Sequence, residues 1–321
     1  MRRALGMALL ALGCAALAGA GVGSTFAAFS GQTTSSGNNV TAATDLRAPT
    51  LTPIVIQKTT GGTAVGSVRA GGTYRVYATV ADTGSPASGV SSVTANVSAI
   101  TPGQTATPLA TGSFTIDGVT YNRRSNVLTA SATLPNGSRS YSVTGVDVAG
   151  NGATANGTVL IDNSAPAGAD VQTANRPGGT AGRAEEGDSI TWTYSEPIQP
   201  GSLLGSWTGA AQAVQVRLFN NGQGDRVEVY NTVFSTTVAL GTLNLGRTDY
   251  VGGGSVWFFN STMTMSGTAV TIVLGDQTGT STTAAGNGLM VWTPSNDATD
   301  NAGNAASETP VNESGPADRE F

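Results

Sequence analysis

Thr73–Val80 reads TYRVYATV. Tyr, Val and Thr dominate it, and such side chains fit a pleated, half-buried surface, so the segment predicts a β-strand. Comparable segments lie on both sides. Ser92–Ile100 sets Val93, Ala95 and Val97 on one face, and Phe114 and Ile116 alternate ahead of Asp117-Gly118, a strong hairpin signal. Val127–Leu134 and Tyr141–Val148 flank the turn Pro135-Asn136-Gly137, and Thr158–Ile161 closes the set. About seven strands in roughly 110 residues is the scale of an immunoglobulin-type sandwich.

The second half repeats the plan. Strands are predicted at Ser189–Tyr194, Ala213–Phe219 and Arg226–Tyr230. Val251–Phe259, Thr262–Met265 and Ala269–Leu274 read as a meander that turns at Ser266-Gly267, and Leu289–Trp292 is the last clear strand. Val214, Val216 and Leu218, then Val270, Ile272 and Leu274, mark faces directed to a core. No helical period competes with this pattern. Two motifs recur as well: D-x-x-A-P at Asp45–Pro49 and Asp162–Pro166, and D-x-A-G-N at Asp147–Asn151 and Asp300–Asn304. Each unit opens after the first motif and finishes near the second.

These readings predict an all-β chain of two tandem immunoglobulin-like β-sandwiches behind an N-terminal signal peptide. The boundaries are a signal over 1–28, an extended segment over 29–48, sandwiches over 49–165 and 166–307, and a polar acidic tail over 308–321. The signal rests on Arg2 and Arg3, an apolar run from Ala4 to about Val22, and small residues around Ala27 and Ala28. An uncleaved membrane anchor is the alternative for that run, although its Ala and Gly make it weakly apolar. The tail has neither an apolar stretch nor a sorting motif.

Composition narrows the chemistry. The 321 residues include no histidine, one lysine (Lys58) and one cysteine (Cys14, inside the signal). The Ser-His-Asp triad, Cys-His pairs, His-ligated zinc and disulfides are thereby excluded, and no motif surrounds Lys58 to make a Ser-Lys dyad. Ala11-Leu12-Gly13 before Cys14 is a poor lipidation signal. A net charge of −5 opposes nucleic acid and anionic lipid as partners.

The recurring motifs have a local reading. In D-x-A-G-N the aspartates Asp147 and Asp300 cap a tight turn, Gly150 and Gly303 take positive φ, and Asn151 and Asn304 tolerate the left-handed region. Calcium is the alternative, because carboxylates and carbonyls are hard-oxygen ligands. In that reading Asp162, at the domain junction, joins Asp82 or Asp147 around the ion. The preferred reading has no cofactor, with Asp162-Asn163 as a turn before Pro166. Glu185-Glu186 ahead of Asp188 reads as a solvated loop, and Arg123-Arg124 is too short to be a binding patch. Tyr74, Tyr77, Trp192 and Tyr194 are expected in cores. Trp207 and Trp257-Phe258-Phe259 are assigned to cores too, with a surface platform for glycan as the alternative.

Two resemblances follow from longer motifs. Gly23–Asp45 (GSTFAAFSGQTTSSGNNVTAATD) is similar to the export region of camelysin-type and biofilm-fibre proteins, with their SipW-dependent type of signal peptide. That resemblance implies cleavage near Ala28 and a mature chain starting near Phe29. The sandwich body of those proteins is not recognisable after Asp45, so neither protease activity nor fibre formation carries over. The remainder resembles the bacterial Ig-like domains of secreted and surface proteins. The carriers are Ala78–Asp82 with Ser88–Val93, Val159–Pro166, Ile190–Ile198, Met263–Gly275 and Trp292–Ser295.

The expected role is an exported, non-enzymatic structural or adhesive element, secreted or extracellular and associated with the cell envelope. Its expected partners are a surface or matrix protein or a glycan, with self-association by strand pairing and no nucleic acid. A secreted hydrolase or a carbohydrate-binding accessory module is the alternative.

Overall fold

A computed structural model describes residues 45–60, 62 and 64–321. The expected signal peptide, its cleavage point, Cys14 and the segment from Phe29 to Thr44 lie outside the described residues.

The first unit contains β1 (Thr50–Lys58), β2 (Ser67–Val68), β3 (Thr73–Ala81), β4 (Val90–Asn96), β5 (Thr107–Ile116), β6 (Val119–Ser125), β7 (Leu128–Thr129), β8 (Gly137–Asp147) and β9 (Gly152–Ile161). One sheet runs β1-β3-β6-β5, with β7 also on β3; the other runs β4-β8-β9-β2. β5 joins them, pairing first with β4 at Thr107 and Pro108 and then with β6. This is the four-plus-three strand plan of an immunoglobulin-type sandwich, with β2 added in parallel to β9. Tyr74, Val76, Ala78 and Val80 point inward at period two and meet Val93, Ala95 and Val143 across the core. Asp117 (φ 48°) and Gly118 (φ 78°) form the expected β5–β6 hairpin turn.

The second unit contains β10 (Gly168–Ala174), β11 (Ser189–Tyr194), a single helical turn α1 (Pro200–Leu203), β12 (Gln212–Asn220), β13 (Asp225–Tyr230), β14 (Thr242–Asn244), β15 (Ser255–Ser266), β16 (Ala269–Val273), β17 (Asp276–Thr278), β18 (Val291–Thr293) and β19 (Val311–Asn312). Its strand order is β10-β11-β16-β15-β12-β13-β14-β18-β19, with β17 against β15. Trp192, Tyr194, Leu218, Phe258, Ile272 and Trp292 fill the core. The Tyr194 and Trp292 rings meet edge to face with centroids 4.8 Å apart.

The chain is therefore all-β, in two β-sandwiches. Three segments differ from the sequence reading. Val127–Leu134 supplies only the two residues of β7. Beyond them the backbone turns away to bond the loops beside β3 and β4, through Ala130 N to Gly72 O and Ser131 N to Ile100 O. The predicted strands 251–259 and 262–265 are one strand, β15, bent at Asn260 (φ 54°) where its register with β12 shifts. Gly275 lies against that bend, and a β-carbon there would fall 2.1 Å from Phe259 O. The segment 308–321 carries β19 and is packed at its end. Phe321 is 4% exposed and packs in the second core with its ring edge-on to Tyr250.

Candidate functional site

The two repeated motifs meet in space, once per sandwich. In the first, Asp147 Oδ1 accepts the Asn151 N–H (2.7 Å), and Gly150 takes φ 94°. The Asn151 side chain does more than close the turn. Its Nδ2 donates to Asp147 Oδ2 (2.8 Å) and to the carbonyl of Asp45 (3.2 Å), tying the closing motif to the opening one. The second sandwich repeats this clasp. Asp300 Oδ1 accepts from Gly303 N (2.6 Å) and Asn304 N (2.7 Å), and Gly303 takes φ 92°. Asn304 Nδ2 donates to Asp300 Oδ2 (2.8 Å) and to Asp162 O (2.9 Å). Neither asparagine has positive φ. Their value lies in the amide, which only Asn presents at that reach, and this corrects the left-handed assignment.

Each clasp gathers three carboxylates. Oxygens of Asp45, Asp82 and Asp147 lie within 4.8 Å of one another, as do those of Asp162, Glu196 and Asp300. Asp162 thus stands apart from Asp82 and Asp147, contrary to the junctional reading. The chain has already passed into the second sandwich, and Asp45 takes the corresponding place in the first. Asp45 accepts from Arg47 N and Ser88 N, and these backbone donors hold its carboxyl below the usual range. Asp82 accepts from Gly84 N and Gly89 N. Burial, and then the charges of Asp162 and Asp300, push the Glu196 carboxyl up. Both triads offer the all-oxygen donor set that a hard cation takes. Their hydrogen bonds also serve the turns, as the preferred reading requires.

Lys58 joins the two units. It is 2% exposed, and its Nζ donates to the carbonyl of Asp300 (2.8 Å). Burial pushes its ammonium down to about 8. Arg69 N also donates to Ala302 O (3.1 Å) beside it. The only lysine is a tether between the sandwiches. No sequence signal separates a buried junction lysine from an exposed one.

The aromatic residues divide. Trp207 is buried, donating Nε1–H to Ala210 O, and Phe258 is fully buried. Trp257 and Phe259 alternate with Phe258 on β15 and so face outward, which corrects their assignment to the core. Their rings are nearly parallel, 17° between planes with centroids 6.1 Å apart. Tyr230 lies 5.8 Å from Trp257, and Arg217 covers the Trp257 and Phe219 rings at 5.5 and 4.6 Å. Phe234 stands edge-on to Trp257 (5.3 Å, 87°) and to Phe259 (6.1 Å, 80°) and is 45% exposed. It holds φ 56°, a conformation costly for a bulky residue, within a turn pinned by Asn231. Beside the rings, Glu228 accepts from Tyr230 OH (2.6 Å) and pairs with Arg217 (3.4 Å).

Tyr74, Trp192 and Tyr194 are core residues, as expected. Tyr77 is buried on the opposite face of β3, under Phe114 and Tyr121. Arg123 and Arg124 diverge, the latter lying 4.1 Å over the Phe114 ring. Glu186 is exposed, but Asp188 is wholly buried, accepting from Arg176 N and Glu185 N. The loop is organised around that carboxylate rather than solvated throughout.

A scan against protein-family models and a search of curated proteins find no match to this chain. The resemblances above therefore rest on the short motifs that carry them.

Proposed function

We propose that the protein is an exported, non-enzymatic adhesive element, two coupled sandwiches presenting an aromatic binding face on the second. The carrying observation is the outward ledge of Trp257 and Phe259 with Tyr230, Phe219 and the strained Phe234. These rings are half-buried, with Phe234 exposed over them, and an apolar aromatic cluster left partly open on a sheet face is characteristic of interaction sites. Near-parallel rings suit the apolar face of a pyranose, and Arg217, Glu228 and Tyr230 supply fixed donors and acceptors for its hydroxyls. A cell-surface or matrix glycan is the partner this chemistry fits best. The tether through Lys58 and the clasp at Asp162 would hold the face in a set orientation to the first sandwich.

Self-association is supported by a second feature. Over Gly152–Val159, β9 pairs with β8 alone and carries no charged side chain, which leaves an unguarded edge. The other sheet edge, β1, is blunted by Pro53 and a register shift.

Glycan and matrix-protein arrays probed with the purified chain test the proposal. Saturable binding to a defined saccharide, without turnover of it, is expected. Hydrolysis of the bound saccharide would instead establish the enzymatic alternative.

A further inference from the structure

The last nine residues hold a second kind of acidic group, separate from the clasps and from the aromatic face. Oxygens of Glu313, Asp318 and Glu320 lie within 4.8 Å of one another. Glu313 is 7% exposed and Glu320 only 1%, whereas Asp318 faces solvent. Glu313 Oε1 accepts the Met290 N–H (3.1 Å), and Glu320 Oε2 accepts from Thr173 Oγ1 (2.7 Å). Glu320 Oε1 is buried and, with both glutamates ionised, has no hydrogen-bond donor; within the protein only a proton shared with Glu313 could pair it. An acceptor in that position costs free energy unless something positive or a proton fills it.

No basic side chain does. Among the described residues the ion pairs are Arg183–Glu185, Arg217–Glu228 and Arg247–Asp249, none of which touches the trio. The neighbouring Arg319 turns its guanidinium to Ala284 O. The backbone nevertheless holds the carboxyls together: Glu320 N donates to Tyr250 OH (2.7 Å), Phe321 N to Thr173 Oγ1 (3.0 Å), Gly182 N to Phe321 O (2.8 Å) and Gly288 N to Asp318 O (2.7 Å). Burial, and then the charge of Glu313, push the Glu320 carboxyl up.

We propose that Glu313, Asp318 and Glu320 bind a hard divalent cation of the calcium type, which fastens the C-terminal segment to the second sandwich. Every donor is oxygen, and the chain has no imidazole and no thiolate in its body, so a softer metal has nothing to select it. Two buried carboxylates provide charge. Asp318 provides the open side through which the ion enters and on which water completes its shell. Thr173, from β10, and Met290, beside β18, orient the two glutamates from the strands that flank β19.

Hydrogen exchange over residues 311–321, measured on the full chain with calcium chloride and with a chelator, reads this site apart from the clasps. Calcium should slow exchange there at least tenfold. Asp318→Asn, a surface change that leaves the fold intact, should require at least tenfold more calcium for the same protection. Glu320→Gln should abolish the response, while Asp82→Asn and Glu196→Gln in the clasps keep it. Equal exchange with and without calcium would overturn the proposal and leave the glutamates sharing a proton. Undiminished calcium protection in Asp318→Asn and Glu320→Gln would overturn it as well.

Discussion

Asn304→Ala removes the hinge of the second clasp. It deletes one bond to a neutral carbonyl, Asp162 O, and one to a carboxylate, Asp300 Oδ2. The first is worth about 1 kcal/mol and the second about 1.5–3. Because Asn304 is half-buried, water partly replaces both, leaving an expected loss of about 2 kcal/mol. With a urea dependence of about 2 kcal/mol per molar, the midpoint falls by roughly 1 M. The assay is built into the chain, since Trp192, Trp207, Trp257 and Trp292 all lie in the second sandwich. Tryptophan emission therefore follows that unit alone, while far-ultraviolet circular dichroism follows both. Asn151→Ala should cost a similar amount in the dichroism signal and shift the tryptophan transition much less. A loss below about 0.5 kcal/mol for Asn304→Ala would refute the clasp as a stabilising element.

Two further perturbations follow from the geometry. Gly275→Ala sets a β-carbon against the Phe259 carbonyl, rigid backbone at the bend of β15, and should destabilise the second sandwich by about 2–3 kcal/mol in the same urea assay. Lys58 binds its proton more weakly in the fold, at about 8 against an ordinary 10.5, so between those values the unfolded chain holds more protons. Stability should then rise from pH 8 toward pH 10, above which tyrosines such as Tyr74 and Tyr141, pushed up to about 12 by burial, reverse the trend. Thermal melts of Lys58→Met across that range should lack the rise.

The fold was legible wherever one face of a strand is apolar at period two, as in Val214-Val216-Leu218, because burial alone then dictates the pairing face. It was less legible at β1, β10 and β19, whose residues pair at edges and carry mixed patterns. Trp257-Phe258-Phe259 defeats composition, since three adjacent aromatic residues on a strand cannot share a face, and strand phase decides which one is buried. The motif residues Asp147, Gly150, Asn151, Asp300, Gly303 and Asn304 were found by repetition. Their partners Asp45 and Glu196 depend on where the chain returns, and Glu320 on a C-terminal segment whose polar composition conceals a buried end.

The outward aromatic face carries the functional account, so the decisive measurement is a binding isotherm for the array-selected saccharide with the native chain, Trp257→Ala and Phe234→Ala. At least a tenfold loss of affinity in both variants, with the sandwich fold retained in each by circular dichroism, is the predicted result. Full affinity in both would contradict it and move the binding surface elsewhere.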